Sequence, residues 1–191
     1  EDKRFYSHDG FDFKRIVKSA LTNLKSGSFK QGASTISQQL IKNTHLSQEK
    51  TLKRKLQEWK LTRALERAYT KDEILEKYLN VIYFGHNCFG LDRAAKFYFN
   101  KAVDELSLAD SAILAGLVKP PNHFSPFKNE QACKNRKKTV LRLMLNNGAI
   151  TQDELDEALS VPLPMPSSEQ SSGYDYARYV FEEFALLTDI L

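Results

Sequence analysis

The sequence predicts an all-α fold. Three observations carry that reading. Apolar residues recur at three- and four-residue spacing through most of the first 160 positions, three Ser/Thr-x-x-Asp/Glu signatures of helix N-termini are spread among them, and no stretch alternates apolar and polar residues as a half-buried strand does. The 191 residues are 41% hydrophobic and 27% charged, ordinary values for one domain, or for one domain and a tail. With 8 Gly and 6 Pro the collagen-like and low-complexity classes are excluded.

The elements follow in order. Phe13, Ile16, Val17, Ala20, Leu21 and Leu24 give the 11–26 stretch the spacing of an amphipathic helix, closed by Ser26-Gly27-Ser28. After the polar run 30–35, Ile36, Leu40 and Ile41 mark a short helix. Ser47 is placed to cap a long helix carrying Leu52, Leu56, Trp59 and Arg63 along one stripe. Thr70 to Glu73 is a capping box that opens a helix with Ile74, Leu75, Tyr78, Leu79 and Ile82 inward. A loop at 85–90 precedes a helix over 91–99 with Ala94, Ala95 and Tyr98 on one side. Ser107 to Asp110 caps a helix that must stop before Pro120-Pro121. A basic amphipathic helix over 129–147 ends at Gly148, and Thr151 to Glu154 caps a short one.

The segment 161–172 holds three prolines and four serines without apolar periodicity and reads as a linker. Helical spacing resumes at Tyr176, Val180, Phe181 and Phe184. Two segments result: a domain over 1–160, and a 161–191 linker and acidic helical segment. Charge divides similarly. Residues 1–150 carry 27 basic and 15 acidic side chains, a net +12, and residues 151–191 carry one basic and nine acidic, a net −8. A basic body suits an anionic partner, whether nucleic acid, anionic membrane or phosphorylated substrate.

The longest apolar stretch, 109–118, is about half the roughly 20 residues that a membrane span requires. The opening Glu1-Asp2-Lys3-Arg4 has the wrong chemistry for a signal peptide. Cys88 and Cys133 are too few for a disulfide scaffold and read as free, buried thiols. Nucleotide-binding glycine patterns, HExxH and the nucleophile elbow are absent, and the four histidines have no ligand spacing.

Polar clusters are more informative. Thr35, Gln39 and Lys42 share a helix face, with Gln38 and Asn43 beside it, and Lys50, Arg54 and Glu58 fall at steps of four. Each alone reads as a solvated face. Together they place amides, cations and a carboxylate within some twenty residues, a set suited to a phosphate-bearing substrate. On composition alone the first dozen residues read as a frayed terminus.

The stretch Glu1-Asp2-Lys3-Arg4-Phe5-Tyr6-Ser7-His8-Asp9-Gly10-Phe11-Asp12 resembles the first motif of the family 51 peptidoglycan glycosyltransferases, the glycan-polymerising domains of class A penicillin-binding proteins and of monofunctional transglycosylases. Residues 31–43, Gln-Gly-Ala-Ser-Thr-Ile-Ser-Gln-Gln-Leu-Ile-Lys-Asn, resemble the second. Residues 54–58, Arg-Lys-Leu-Gln-Glu, resemble the third. The 71–101 stretch, with Tyr83-Phe84-Gly85, and the 106–126 stretch, with Ala112-Ile113-Leu114-Ala115-Gly116-Leu117, resemble the fourth and fifth. Five motifs in order cover residues 1–127.

The resemblance implies a lysozyme-like bilobal domain with a head lobe and a smaller membrane-associated jaw. It implies a reaction in which the growing glycan strand, as donor, is joined to lipid II, with inversion, a β-1,4 bond and release of polyprenyl pyrophosphate. Glu1 matches the general base and Glu58 the second catalytic glutamate, near the donor pyrophosphate. Lys42, Arg54 and Lys55 match positions suited to the pyrophosphate, and Ser34, Gln39 and Asn43 match polar cleft positions. Phe5, with His8, either positions Glu1 or touches substrate. Lys18 and Lys50 stand where many members have Arg, which alters any bidentate phosphate contact. Asn80, Tyr83, Phe84, Gly85 and residues 112–117 match scaffold. A divalent cation, magnesium or manganese, at the pyrophosphate is allowed and not required.

The expected partners are lipid II, the glycan strand, the cytoplasmic membrane surface and a transpeptidase domain in the same polypeptide, with no nucleic acid. The expected location is the outer face of the bacterial cytoplasmic membrane, held by an anchor outside this chain. Because Glu1 is the first residue, the 191-residue chain alone is expected to fold but to polymerise poorly. Two other readings stay open. A lysozyme-like glycan-cleaving enzyme would not need the Lys42, Arg54 and Lys55 set. A non-catalytic binder of polyanions or membrane surfaces would not need Glu1.

Overall fold

The computed structural model describes residues 2–27, 32–45, 51–118 and 120–165, and these divide into two units, one within residues 2–81 and one within residues 82–165. Among the described residues the regular structure is helical, relieved by one isolated antiparallel bridge between Tyr83 and Phe89.

In the first unit a 3-10 turn at Phe5–Ser7 precedes helix α1, Phe13–Ser26. The helix begins two residues later than the periodicity suggests, because Asp12 caps it by accepting the Arg15 N–H at 2.8 Å. It ends at Gly27 in the left-handed conformation, φ +61°. Helix α2 is Ile36–His45, α3 is Leu52–Ala68 and α4 is Lys71–Val81. Thr51 caps α3, while Ser47, the cap expected from sequence, lies outside the described residues. The capping box before α4 is present, with Thr70 and Glu73 bonding each other's backbone N–H groups.

Helix α2 supplies the core of this unit. Ile36, Leu40 and Ile41 are buried, and α2 packs on α3 and α4, where Leu65, Ile74 and Tyr78 are also buried. Two expected core faces do not pack in. On α3 the stripe Leu52, Leu56, Trp59 is exposed, Leu52 by 91%, and the buried residues are Glu58, Thr62 and Leu65. On α1 Phe13, Val17, Leu21 and Leu24 are exposed, Leu24 by 81%, and only Ser19 is buried. Both helices are amphipathic, but the apolar face looks outward.

The second unit holds α5, Leu91–Phe99; α6, Leu108–Leu117; α7, Pro121–Phe124; α8, Glu130–Asn146; and α9, Gln152–Ser160. The short α7, absent from the sequence reading, starts with Pro121 at its first position, where the missing N–H costs nothing. Ser107 and Thr151 form the expected capping boxes with Asp110 and Glu154. Ala109 and Ala112 of α6 let α8 and α9 approach, and Leu141, Leu155 and Ala158 close the core between them. The 82–90 loop is pinned by Tyr98, whose hydroxyl donates to the Phe84 carbonyl at 2.8 Å, and by His86 Nε2, 2.8 Å from Ser125 Oγ. Cys88 and Cys133 are free and buried, and burial pushes each thiol pKa up to about 11. Residues 162–165 have no regular structure, and the helix expected over 174–191 lies outside the described residues.

Candidate active site

The site residues of the first two sequence motifs meet α3 within the first unit. The segment 2–12 is tied down. The Asp2 side chain is fully buried and accepts the Ile36 N–H at 3.0 Å, at the start of α2. His8 Nε2 lies 3.1 Å from the same carboxylate and Arg15 Nη1 lies 3.8 Å from it. A carboxylate only accepts, so Nε2 of His8 carries its proton. Phe5 is buried, edge-on to Tyr6 and His8, with the Lys71 ammonium 4.7 Å over its ring. Its ring is therefore used in packing. Arg4 bonds Asp12 from Nε at 3.0 Å. Burial pushes the Asp12 carboxyl up, but the Arg15 N–H and the Arg4 guanidinium outweigh it and hold the group below the ordinary Asp value.

The inward face of α3 is polar because its partners are polar. Glu58 is 2% exposed; its Oε1 accepts from Gln38 Nε2 at 2.9 Å and also from Lys55 Nζ, while Oε2 accepts no hydrogen bond among the described residues. Two turns on, Glu66 accepts from Ser37 Oγ and from Lys71 Nζ, the latter ion pair at 2.7 Å. Between them Thr62 is buried, and its γ-methyl would stand 2.8 Å from a Cβ at Gly10. Gly10 also has φ +86°, so glycine is required there twice over. Its carbonyl accepts from Thr35 Oγ1 at 2.7 Å.

Of the remaining sequence candidates, Arg54 is half-buried, one turn before Glu58, with Nε buried and unpartnered among the described residues. Lys55 is 54% exposed and paired to Glu58. Gln39 is half-buried and its Oε1 lies 3.4 Å from the Tyr78 hydroxyl. Ser34, Lys42 and Asn43 are exposed before and along α2, and Lys18 is exposed on α1. Glu1 and Lys50 lie outside the described residues.

Asp2, Arg15 and Glu66 are not singled out as site candidates from sequence, and Gln38 is named there only beside the polar face of α2. A signal for Gln38 exists. Thr35-x-x-Gln38 is itself a capping box, realised here by Gln38 N–H to Thr35 Oγ1 at 3.2 Å and Thr35 N–H to Gln38 Oε1 at 3.2 Å. Extending the Lys50, Arg54, Glu58 steps of four also reaches Thr62 and Glu66.

Among the described residues a divalent ion finds one free carboxylate oxygen here, Glu58 Oε2, whose partner Oε1 holds the Lys55 ammonium. Among the described residues no group of three or more His, Cys, Asp or Glu side chains could hold a metal. An ion at this place would draw its other ligands from substrate phosphates and water, as magnesium commonly does.

Comparison with known proteins is specific. Residues 1–145 match the family model described as Transglycosylase. The chain is 46% identical over 182 residues to penicillin-binding protein 2D of Bacillus subtilis, covering 95% of this chain and 26% of that protein. It is 39% identical over 188 residues to penicillin-binding protein 4 of the same organism, covering 98% and 30%, and 46% identical over 163 residues to penicillin-binding protein 1A of Neisseria gonorrhoeae, covering 85% and 20%. The chain thus spans less than a third of the length of these curated relatives. A crystal structure of penicillin-binding protein 1A from Haemophilus influenzae aligns with 38% identity over 55% of this chain and 16% of that one, with a TM-score of 0.49.

Proposed function

Because this chain belongs to the transglycosylase family, the family 51 glycosyltransferases that its motifs resemble, we propose that it polymerises lipid II into β-1,4 glycan strands. The observation that carries the reading is Glu58, a buried carboxylate held through one oxygen by Gln38 and Lys55, with the other unbonded among the described residues.

The chemistry needs a base on one side of the anomeric carbon and cations on the other. Glu1 takes the proton of the acceptor sugar's 4-hydroxyl as that oxygen attacks the donor carbon, with inversion. The leaving pyrophosphate departs as an anion, so no general acid is required. Lys42, Arg54 and Lys55 stabilise the charge that develops on it. Arg54 is suited to this, since its Nε is buried without a partner among the described residues. Ser34, Gln39 and Asn43 position sugar and phosphate oxygens, and Lys18 and Lys50 add positive charge. A divalent cation would supply further charge neutralisation at the pyrophosphate.

The exposed apolar faces of α1 and α3 support a membrane-surface location. Phe11 joins them, its ring 6.4 Å from both Phe13 and Trp59. Exposed cations, Lys14, Lys18 and Lys25 on α1 and Lys53, Lys60 and Arg63 on α3, flank the apolar residues, the pattern of a helix lying in a lipid interface. No helix among the described residues is long and apolar enough to cross a membrane. Residues 1–160 are the glycosyltransferase domain in this reading, and 161–191 lead to a transpeptidase domain.

The test is lipid II polymerisation by the full-length protein, read as glycan chains on a gel. Glu1→Gln abolishes it with the fold intact. Lys42→Ala and Arg54→Ala each lower turnover about ten- to hundredfold, the cost of a charge-assisted contact. Glu1→Gln activity within about tenfold of the parent would remove Glu1 from the base role.

A further inference from the structure

Resting on the role given to Glu58, we propose that Gln38 is a positioning residue for the reaction, one that fixes the orientation in which the Glu58 carboxylate presents its second oxygen to the substrate. Gln38 lies in the first turn of α2 and is 6% exposed. Both ends of its amide are committed. Nε2 donates to Glu58 Oε1 at 2.9 Å, and Oε1 accepts the Thr35 N–H at 3.2 Å. A flipped amide would set its oxygen against a carboxylate and its NH2 against an N–H, so the network admits one orientation. Thr35 is itself fully buried and anchored to the Gly10 carbonyl at 2.7 Å. A buried relay therefore runs from Gly10, through Thr35 and Gln38, to Glu58.

The consequence falls on Glu58. The last torsion of a glutamate is soft and roughly two-fold, so a carboxylate held at one point turns readily. Lys55 also reaches Oε1, but its side chain is more than half exposed on a flexible stem. Gln38 is the rigid partner. With Oε1 occupied by two donors, Oε2 is left to meet the pyrophosphate, its cation or a sugar hydroxyl. Gln38 touches Glu58, not substrate, and its effect belongs in turnover rather than in substrate binding.

The experiment is a double-mutant cycle in the full-length protein, with kcat and KM for lipid II polymerisation. Gln38→Met keeps the volume and removes the donor; Lys55→Met removes the other holder of Oε1. Each single change is expected to lower kcat about tenfold, Gln38→Met with KM changed less than about twofold, and the pair to lower it by more than about a thousandfold, because the first loss leaves one holder and the second leaves none. Losses that multiply to about a hundredfold would mean that the two act independently and would overturn the proposal.

Gln38→Glu keeps the test open should the Met variant not fold. Its carboxyl donates to Glu58 when protonated and repels it when ionised. Its activity relative to the parent should fall at least about tenfold between about pH 5 and 8. A ratio independent of pH would overturn the role. A parent that makes no glycan would instead overturn the functional reading itself, and this role with it.

Discussion

Ile36 and Asp2 stand 34 positions apart and meet at 3.0 Å, where the first N–H of α2 donates to a fully buried carboxylate. An anion at a helix N-terminus satisfies an orphan donor and complements the helix dipole. The bond fixes the residue that follows Glu1, and His8 and Arg15 share the same carboxylate. Asp2→Ala removes the cap and leaves His8 Nε2–H buried without its acceptor. It is expected to destabilise the fold by about 2–4 kcal/mol, and thereby to lower the melting temperature by roughly 5–15 °C in scanning calorimetry. A melting temperature unchanged within a degree would show the terminus to be decoration on α2.

Gly10→Ala tests how closely that segment lies on α3. A Cβ there would stand 2.8 Å from Thr62 Cγ2 and 3.1 Å from Glu66 Cγ, on a backbone at φ +86°. Left-handed strain and overpacking together cost about 2–5 kcal/mol. Gly27→Ala is the control, since its φ is +61° and nothing among the described residues lies within 4 Å of its added Cβ. It carries the strain alone, about 1–2 kcal/mol. Equal shifts in denaturant midpoint for the two variants would mean that Thr62 and Glu66 give way freely.

Most helix boundaries are legible in the sequence because they are written in local chemistry. Thr70, Ser107 and Thr151 cap the helices that their spacing announces, and Gly27 and Gly148 end theirs in the left-handed conformation. Which face turns inward is not local. Leu52, Leu56 and Trp59 read as core by period, yet α3 buries Glu58 and Thr62, because α2 offers Gln38 and Ser37 as partners rather than an apolar groove. The same holds at the terminus. Asp2 looks like part of a frayed end until Ile36, beyond the horizon of any periodicity argument, supplies its donor. The motif resemblance named Glu58, Arg54 and Lys55 from their neighbours in sequence. It could not show that Gln38 occupies one oxygen of Glu58, since that depends on how two helices pack.

Cys88 and Cys133 give a prediction on the alkaline side. Burial raises both thiol pKa values to about 11, above the ordinary 8.5 or so of an unfolded chain. The folded state thus favours the neutral thiols. That contribution is complete below about pH 8.5 and is lost as pH rises through about 11. The melting temperature should fall across this window, and less steeply in a Cys88→Ala, Cys133→Ala variant. At pH 8 a thiol-specific reagent should leave both groups unmodified until the protein is unfolded, as expected of inert buried cysteines. Rapid labelling of the folded protein would contradict their burial.

The outward apolar face gives the last prediction. Leu21 and Leu24 on α1 are exposed, beside a basic flank, and their removal breaks no packing in the described structure. Surface substitutions of this kind change stability by less than about 0.5 kcal/mol. If the face lies in a lipid interface, each leucine that enters the acyl boundary contributes about 1.5–3 kcal/mol, so losing both should weaken vesicle partitioning at least about a hundredfold. The comparison is the parent against Leu21→Ser, Leu24→Ser in co-sedimentation with vesicles containing anionic phospholipid. The parent is expected to bind, to bind less in high salt as its lysines are screened, and to shift Trp59 fluorescence to shorter wavelength. The double variant should keep its melting temperature and lose most of the binding. Equal sedimentation of the two would assign membrane attraction to charge alone and leave the apolar face of α1 without this role.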